Sequence, residues 1–173
     1  MAKFNSNYIL EQCRFRSDYN VLSVGSGTSV VECYLAKFVV PNGRVVAVDF
    51  AHEMNREARN LAKKEQVQNI HFVTATAKKL PILNNSQNII ISCNVGLSPG
   101  YLNDFLPEAR RSIVNSEKSR LILTGIVSEI EKLRGVFTIL QNHGFELANE
   151  KFLRSSDSII ALISARPILK TKK

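Results

Sequence analysis

Short apolar runs, separated by glycines and polar turn residues, recur along most of the chain. They centre on Val21, Val45, Phe72, Ile89 and Leu121. Continuous apolar runs of this kind are typical of strands that are buried on both faces of a parallel sheet. Between them, apolar residues return every three or four positions, which indicates amphipathic helices. This alternation predicts an α/β fold with one sheet between layers of helices.

The segment 20–49 contains the pattern around which the other elements are arranged. A predicted strand at residues 20–24 leads into the Gly25-Ser26-Gly27 turn, where glycine allows a sharp change of direction. Thr28 or Ser29 is expected to cap a helix. The apolar face predicted for that helix consists of Val30, Val31, Tyr34, Leu35 and Phe38. A second strand at 44–48 ends at Asp49, so the segment resembles half of a nucleotide-binding fold with a carboxylate placed for ribose hydroxyls.

The same rules predict the remaining elements. Ser128 and Glu131 have capping-box spacing and should open a helix that Gly144 closes. The predicted helices are 52–64, 101–114 and 128–144, and the predicted strands are 69–74, 89–92, 120–124, 145–153 and 158–165. Residues 1–19 should form a short helix and a connector, and the basic tail at 167–173 should fray.

Composition favours one ordinary soluble domain spanning residues 1–173. The chain is 45% hydrophobic and 22% charged, and no apolar run is long enough to cross a bilayer. No secretory signal is recognisable, and Cys13, Cys33 and Cys93 lack metal or disulfide spacing. We therefore expect free thiols in a reducing cytoplasm, no membrane partner and no metal site, and a homo-oligomer is left open.

The net charge of +8 favours a polyanionic partner. The basic residues are nevertheless spread along the chain, and no aromatic-basic module of the RNA-binding kind is present. The small basic groups are Arg14 with Arg16, Lys78 with Lys79, Arg110 with Arg111, and the lysine tail. This pattern predicts weak, non-specific nucleic-acid binding.

Three stretches resemble one family. Residues 23–29 fit the frame (D/E)xGxGxG in two glycines, although Ser23 and Ser29 replace its first acid and its last glycine. VDFAHEMNREAR resembles VDxSxxMLxxAR, and HFVTATAKKLPILNNSQNIIISCN resembles FVxGDAExLPFxDNSFDVVxSN. Over residues 20–126 the chain is thus similar to class I S-adenosylmethionine-dependent methyltransferases of the ubiquinone-biosynthesis and arsenite-methylating branch.

The resemblance implies a Rossmann-like fold with S-adenosylmethionine as cofactor. It implies a mainly parallel seven-stranded sheet with helices on both faces and an antiparallel C-terminal strand pair. The cofactor-binding residues carried over by position are Ser23, Gly25, Ser26, Gly27, Asp49, Phe50, Thr76, Ala77 and Asn94. Cys93, Asn94 and Val95 are the implied acceptor-side residues, and no catalytic residue is implied. Thr76 and Asn88 stand where the family has further acids.

Three functions follow from these observations. The first is methyl transfer to a small molecule, supported by the segments around Asp49 and Leu80-Pro81. The second is methyl transfer to RNA or protein, supported by the basic charge. The third is a non-catalytic binding or scaffold module, supported by the loss of acids at Ser23, Thr76 and Asn88.

Overall fold

The computed structural model describes residues 15–93, 95–127, 132–154 and 159–169. Its elements, in chain order, are β1 (Asn20–Val24), α1 (Val30–Tyr34) with a π-helical continuation (Leu35–Val39), β2 (Arg44–Asp49), α2 (His52–Lys64), β3 (Ile70–Thr74), β4 (Ile89–Cys93), α3 (Pro99–Ser112), β5 (Arg120–Val127), α4 (Lys132–Asn142), β6 (Phe145–Arg154) and β7 (Ile159–Pro167).

The strands form a single seven-stranded sheet in the order β3-β2-β1-β4-β5-β7-β6. The first five strands in this order run parallel, and β7 pairs antiparallel with both β5 and β6. The predicted fold class is therefore confirmed, including its antiparallel end. Chain order reverses between β1 and β4, and open α/β sheets form their ligand crevices at such a position.

Alternating strand residues contribute to two hydrophobic clusters, one on each face of the sheet. Leu22 and Ile90 join the cluster that contains the buried side chains of α3 and α4. Val21, Ile89 and Ile91 belong to the cluster on the opposite face, which contains the buried side chains of α1 and α2. Burial on both faces explains why these strands read as continuous apolar runs.

The predicted apolar face of α1 is correct only in part. Leu35 is buried and Val31 packs against the core, but Val30, Tyr34 and Phe38 are exposed, and Phe38 reaches 64% exposure. The other buried positions, Glu32, Cys33 and Ala36, were not predicted. The second half of this helix is π-helical, so the 3.6-residue period used for the prediction does not hold across it.

Ser29 occupies the helix N-cap, as expected, but its side chain makes no capping hydrogen bond. Its φ angle is +59°, in the left-handed region, whereas a capping residue normally has an extended backbone. The Ser29 hydroxyl is also buried and has no hydrogen-bond partner within the described part of the chain.

Most other element boundaries agree with the prediction within a few residues, and α2 agrees at both ends. Strand β5 continues three residues past its predicted end, because β7 pairs with it as far as Val127. The tail does not fray at its start, since Ile168 donates to the Gly144 carbonyl at 2.8 Å. The predicted N-terminal helix and the Ser128–Glu131 capping box lie outside the described residues. Within the described part of the chain, no helix is long and apolar enough to cross a membrane.

Candidate cofactor site

Asp49 ends β2 beside the glycine turn, and backbone groups hold its carboxylate on both sides. Oδ2 accepts a hydrogen bond from the Gly27 amide at 2.8 Å, and Oδ1 accepts one from the Ala51 amide at 2.9 Å. Asp49 is only 7% exposed. Each carboxylate oxygen can accept more than one hydrogen bond, so a ligand hydroxyl can add to this arrangement.

The backbone donors of the glycine turn are used inside the protein. The amides of Gly25 and Ser26 both donate to the Val48 carbonyl, at 2.8 and 3.1 Å, and the Gly27 amide donates to Asp49. Glycine turns that hold phosphates present free backbone N–H groups to the anion. This turn therefore favours a ligand that donates hydrogen bonds over one that brings a phosphate.

The two glycines of the turn serve different purposes. A Cβ atom built on Gly25 would lie 2.1 Å from Cγ2 of Val95, so Gly25 lets the loop after β4 pack closely onto the turn. Gly27 has a φ angle of +54° and faces open space, with nothing within 4 Å of a built Cβ. The open face at Gly27 lies next to the Asp49 carboxylate.

A mostly apolar cavity of about 290 Å³ opens at this point. Of the residues predicted for the site, it is lined by Gly25, Asp49, Phe50, Thr76, Ala77 and Val95. The other lining residues are Val24, Val48, Ala75, Lys78, Tyr101 and Asp104. Phe50 is 78% exposed and stands at the rim. The volume is of the order expected for a small-molecule site.

Tyr101, which ends the loop expected on the acceptor side, is a cavity residue to which the sequence analysis gave no role of its own. Its hydroxyl lies 2.7 Å from the Ser92 hydroxyl, and its ring stacks on Phe105 at 5.5 Å. Burial raises the pKa of Tyr101 to about 12, so the phenol stays protonated at neutral pH. At the mouth of the same cavity, Lys78 forms an ion pair with Asp104 at 2.9 Å.

Asn55 is a second residue that the sequence analysis missed. It is fully buried in α2, and its Nδ2 lies 3.2 Å from the Asp49 carbonyl, 3.3 Å from the Val73 carbonyl and 2.9 Å from the Thr74 hydroxyl. It therefore ties the carboxyl ends of β2 and β3 together. In the sequence, Asn55 is a polar residue beside the apolar face of α2. Polar residues are also common on solvated helix faces, so this pattern did not single out Asn55.

Ser23 does not line the cavity. Its side chain points to the opposite face of the sheet, where its hydroxyl donates to Oε1 of Glu32 at 2.6 Å. Cys93 also packs on that face and forms a hydrogen bond with Thr124, and burial raises the pKa of its thiol to about 12. Asn94 lies outside the described residues, so its predicted roles stay predictions.

A second cavity, of about 640 Å³, lies beside the first near the carboxyl end of β5. Val95 lines both cavities. The remaining lining residues of the second cavity are Gly96, Leu97, Ser98, Pro99, Ile126, Val127, Gly135 and Val136. No charged side chain belongs to this lining among the described residues.

Metal chemistry gains no support from the described side chains. Within residues 15–93, 95–127, 132–154 and 159–169, no three His, Cys, Asp or Glu side chains are grouped so that they could hold a metal ion.

Comparison with known proteins places the chain in a family. A family model described as "Methyltransferase domain" matches residues 21–115, which is more than half of the chain. The chain belongs to the S-adenosylmethionine-dependent methyltransferases, whose cofactor is S-adenosylmethionine.

Two relatives agree with this assignment over part of the chain. An arsenite methyltransferase of Halobacterium salinarum is 38% identical over 81 residues, covering 46% of this chain and 20% of that protein. A ubiquinone/menaquinone biosynthesis C-methyltransferase of Coxiella burnetii is 32% identical over 80 residues, covering 46% of this chain and 32% of that protein. The chain thus spans a third or less of the length of either relative.

The crystal structure of the 4+2 cyclase SpnF superposes with a TM-score of 0.86 at 13% identity, covering 96% of this chain and 81% of that chain. At this identity the likeness shows the fold alone. A cyclase on the same fold illustrates that the fold does not by itself define the reaction.

Proposed function

We propose that this protein binds S-adenosylmethionine in the 290 Å³ cavity and transfers its methyl group to a small-molecule acceptor. The observation that carries the proposal is the position of Asp49, which lies at the wall of this cavity, between the Gly27 and Ala51 amides. The two backbone donors hold the carboxylate in one orientation before any ligand arrives. Such preorganisation reduces the entropy lost on binding.

The residues present fit this cofactor. Asp49 can accept hydrogen bonds from the two ribose hydroxyls, as strand-end acids do in nucleotide-binding folds. Phe50, Ala77 and Tyr101 supply apolar walls for the adenine ring. The open face at Gly27 leaves space beside the carboxylate. The hydroxyls of Ser26 and Ser29 are buried without a hydrogen-bond partner among the described residues, but neither residue lines the cavity.

The cofactor brings its own electrophile, a methyl group on a positively charged sulfur. Held by Asp49, S-adenosylmethionine would supply this methyl group to a lone pair of the acceptor, and its sulfur would keep the electron pair of the broken carbon–sulfur bond. The protein then needs to align the two molecules and to exclude water. Val95, which lines both cavities and packs on Gly25, lies where that alignment would be made.

The 640 Å³ cavity supports a small acceptor with an apolar body, because its described lining carries no charged side chain. The basic residues named for an RNA acceptor are largely occupied within the protein. Lys78 pairs with Asp104, while Arg111 pairs with Glu108 and donates to the Leu80 carbonyl. Arg110 donates to Asn115 and to the Ile168 carbonyl. A polyanionic acceptor would have to compete with these contacts.

A purely structural role is less well supported, because a scaffold does not require an open cavity beside an oriented carboxylate. The acids missing at Ser23, Thr76 and Asn88 lower the number of charged contacts available to a cofactor. They leave the Asp49 arrangement intact.

Isothermal titration calorimetry with S-adenosylmethionine and S-adenosylhomocysteine tests the proposal. We expect binding to the wild type, and a loss of roughly tenfold to a hundredfold in affinity for Asp49→Ala, the range for losing hydrogen bonds to a charged group. Glu57→Ala, at an exposed position of α2, is the matched control and should bind like the wild type. No binding of either ligand to the folded wild type at millimolar concentration would overturn the proposal.

A further inference from the structure

Two hydroxyl groups meet at the wall of the 290 Å³ cavity. Tyr101 comes from the first turn of α3 and lines this cavity, and its hydroxyl lies 2.7 Å from that of Ser92 near the end of β4. This distance is typical of a hydrogen bond between two hydroxyl groups. The proposed function uses the ring of Tyr101 as an apolar wall and leaves its hydroxyl without a role.

The burial of Ser92 determines which of the two hydroxyls is the donor. Each hydroxyl carries one proton, and the contact between them uses only one of the two. Within the described part of the chain, neither hydroxyl has a second hydrogen-bond partner. If Tyr101 donated, the proton of Ser92, which is 2% exposed, would be buried without an acceptor, and this is costly inside a protein. Ser92 is therefore the donor, and the Tyr101 oxygen accepts.

The proton of Tyr101 is then left for the cavity that this residue lines. Burial raises the pKa of Tyr101 to about 12, and the hydrogen bond from Ser92 acts against that rise, so the phenol remains a donor at neutral pH. The ring is held in place by stacking on Phe105, which is fully buried, with 5.5 Å between the ring centroids. Tyr101 thus presents a neutral donor whose position is fixed before a ligand binds, which reduces the entropy lost on binding.

The position of Tyr101 favours the cofactor over the acceptor molecule as the partner of this donor. Tyr101 lines the 290 Å³ cavity and does not line the 640 Å³ cavity. Of the other polar side chains around the first cavity, Asp49 only accepts hydrogen bonds, and Lys78 is paired with Asp104. Adenine carries ring nitrogens without protons, which accept hydrogen bonds, and one amino group, which donates them. A phenolic donor is therefore complementary to a ring nitrogen.

We propose that Tyr101 is a specificity-determining residue whose hydroxyl, oriented by Ser92, donates a hydrogen bond to a ring nitrogen of the bound adenine. This inference rests on the proposed function, which places the adenine ring against Phe50, Ala77 and Tyr101. It restricts the ligand to a purine nucleoside that presents an unprotonated ring nitrogen to α3. An analogue that carries a C–H group at that ring position cannot accept the bond and binds more weakly.

The test compares four ligands by calorimetry: S-adenosylhomocysteine and its 1-deaza, 3-deaza and 7-deaza analogues, each of which lacks one ring nitrogen. We expect one analogue to bind the wild type roughly threefold to tenfold more weakly than S-adenosylhomocysteine because of the Tyr101 bond, the range for one neutral hydrogen bond. Tyr101→Phe should lower the affinity for S-adenosylhomocysteine by a similar factor and leave that for this one analogue within about twofold. Such coupling between a side-chain group and a ligand atom indicates a direct interaction.

Three further variants separate the ligand bond from the packing of the two hydroxyls. Tyr101→Phe leaves the Ser92 hydroxyl without its partner, whereas the double variant Ser92→Ala/Tyr101→Phe removes both groups. The double variant should bind like Tyr101→Phe, and it keeps the test available if Tyr101→Phe alone does not fold. Ser92→Ala keeps the phenol and should retain the discrimination against the same analogue. Tyr34→Phe removes an exposed phenol hydroxyl from α1 and should change none of the affinities.

Each contrary outcome has a distinct meaning. An equal loss for all four ligands in Tyr101→Phe and in the double variant would show a packing effect and overturn the inference. Unchanged affinity for S-adenosylhomocysteine in Tyr101→Phe would show that the hydroxyl does not contact the adenine, with the same consequence. A wild type that binds all four ligands equally would overturn this inference alone. A wild type that binds none of them would overturn the proposed function and this inference with it.

Discussion

Asp49 and Glu32 are two nearly buried carboxyl groups whose hydrogen-bond partners differ. Asp49 ends a strand, and two backbone amides donate to its two oxygens. Glu32 comes from a helix, accepts a hydrogen bond from one hydroxyl group and has a raised pKa. The two bonds to Asp49 come from the backbone, whereas the bond to Glu32 comes from a side chain. The comparison shows that similar burial can accompany a carboxylate whose two oxygens both accept backbone hydrogen bonds and one whose burial raises its pKa.

The largest expected effect on stability is that of Asp49→Ala. The substitution leaves the amides of Gly27 and Ala51 without their acceptor, and it also removes the link between the turn and β2. We expect the free energy of unfolding to fall by about 3 kcal/mol, since hydrogen bonds to a charged group are worth about 1.5–3 kcal/mol each. Urea denaturation measures this, with Glu57→Ala as control. A loss below about 1 kcal/mol would show that Asp49 is not an anchor.

Asn55→Ala tests whether Asp49 depends on the hydrogen bonds that Asn55 donates at the ends of β2 and β3. The variant removes the amide group that bonds the Asp49 carbonyl, the Val73 carbonyl and the Thr74 hydroxyl. We expect a loss of about 2 kcal/mol in the free energy of unfolding, because buried acceptors lose their donor. Calorimetry should also show weaker S-adenosylhomocysteine binding. If the variant is less stable but binds S-adenosylhomocysteine as tightly as the wild type, then Asn55 supports the strands without orienting Asp49.

Ser23→Ala examines the other carboxyl group. It removes the only hydrogen bond from another side chain to Glu32 that the structure records, and that bond lowers the Glu32 pKa. We expect a loss of about 1 kcal/mol at neutral pH, the usual net value of one hydrogen bond, and a further rise of the Glu32 pKa. Ser26→Ala is the control, because the hydroxyl that it removes has no hydrogen-bond partner in the described ranges. Equal stability of Ser23→Ala and the wild type at every pH would contradict the pairing.

Glu32→Gln should have the smallest effect on stability, and it should be a gain at higher pH. Because burial raises the pKa of Glu32 in the folded state, the unfolded chain releases this proton first as the pH rises. The wild type therefore loses stability as the pH rises from the ordinary glutamate pKa to the higher pKa of the folded state. Below the ordinary glutamate pKa, Glu32 is protonated in both states and no stability is lost. Chemical denaturation at pH 4 and pH 8 should show equal stability at pH 4 and a more stable variant at pH 8. A variant that is less stable at pH 8 would mean that the Glu32 charge stabilises the protein without a ligand.

Local sequence patterns predicted the scaffold well, for a physical reason. The bounds of β1 and α2 follow from apolar periodicity with turn residues at each end, which depend on neighbours in the chain. Asp49 could be identified because a polar residue that ends a buried strand must lie at the sheet edge. The full buried face of α1 could not be identified from the sequence. Its π-helical continuation changes the helical period, and the sheet determines which side of the helix is buried.

The sequence by itself determined the order of the elements, the class of fold and one acid of the site. Only the tertiary structure decided what surrounds that acid. Tyr101, Lys78 and Asp104 meet Asp49 at one cavity because β3 and β4 end at the same edge of the sheet. Ser23 and Glu32 share a hydrogen bond because α1 folds back along β1. Such contacts join positions whose spacing in the chain carries no periodic signal, so they emerge only when the strands are packed side by side.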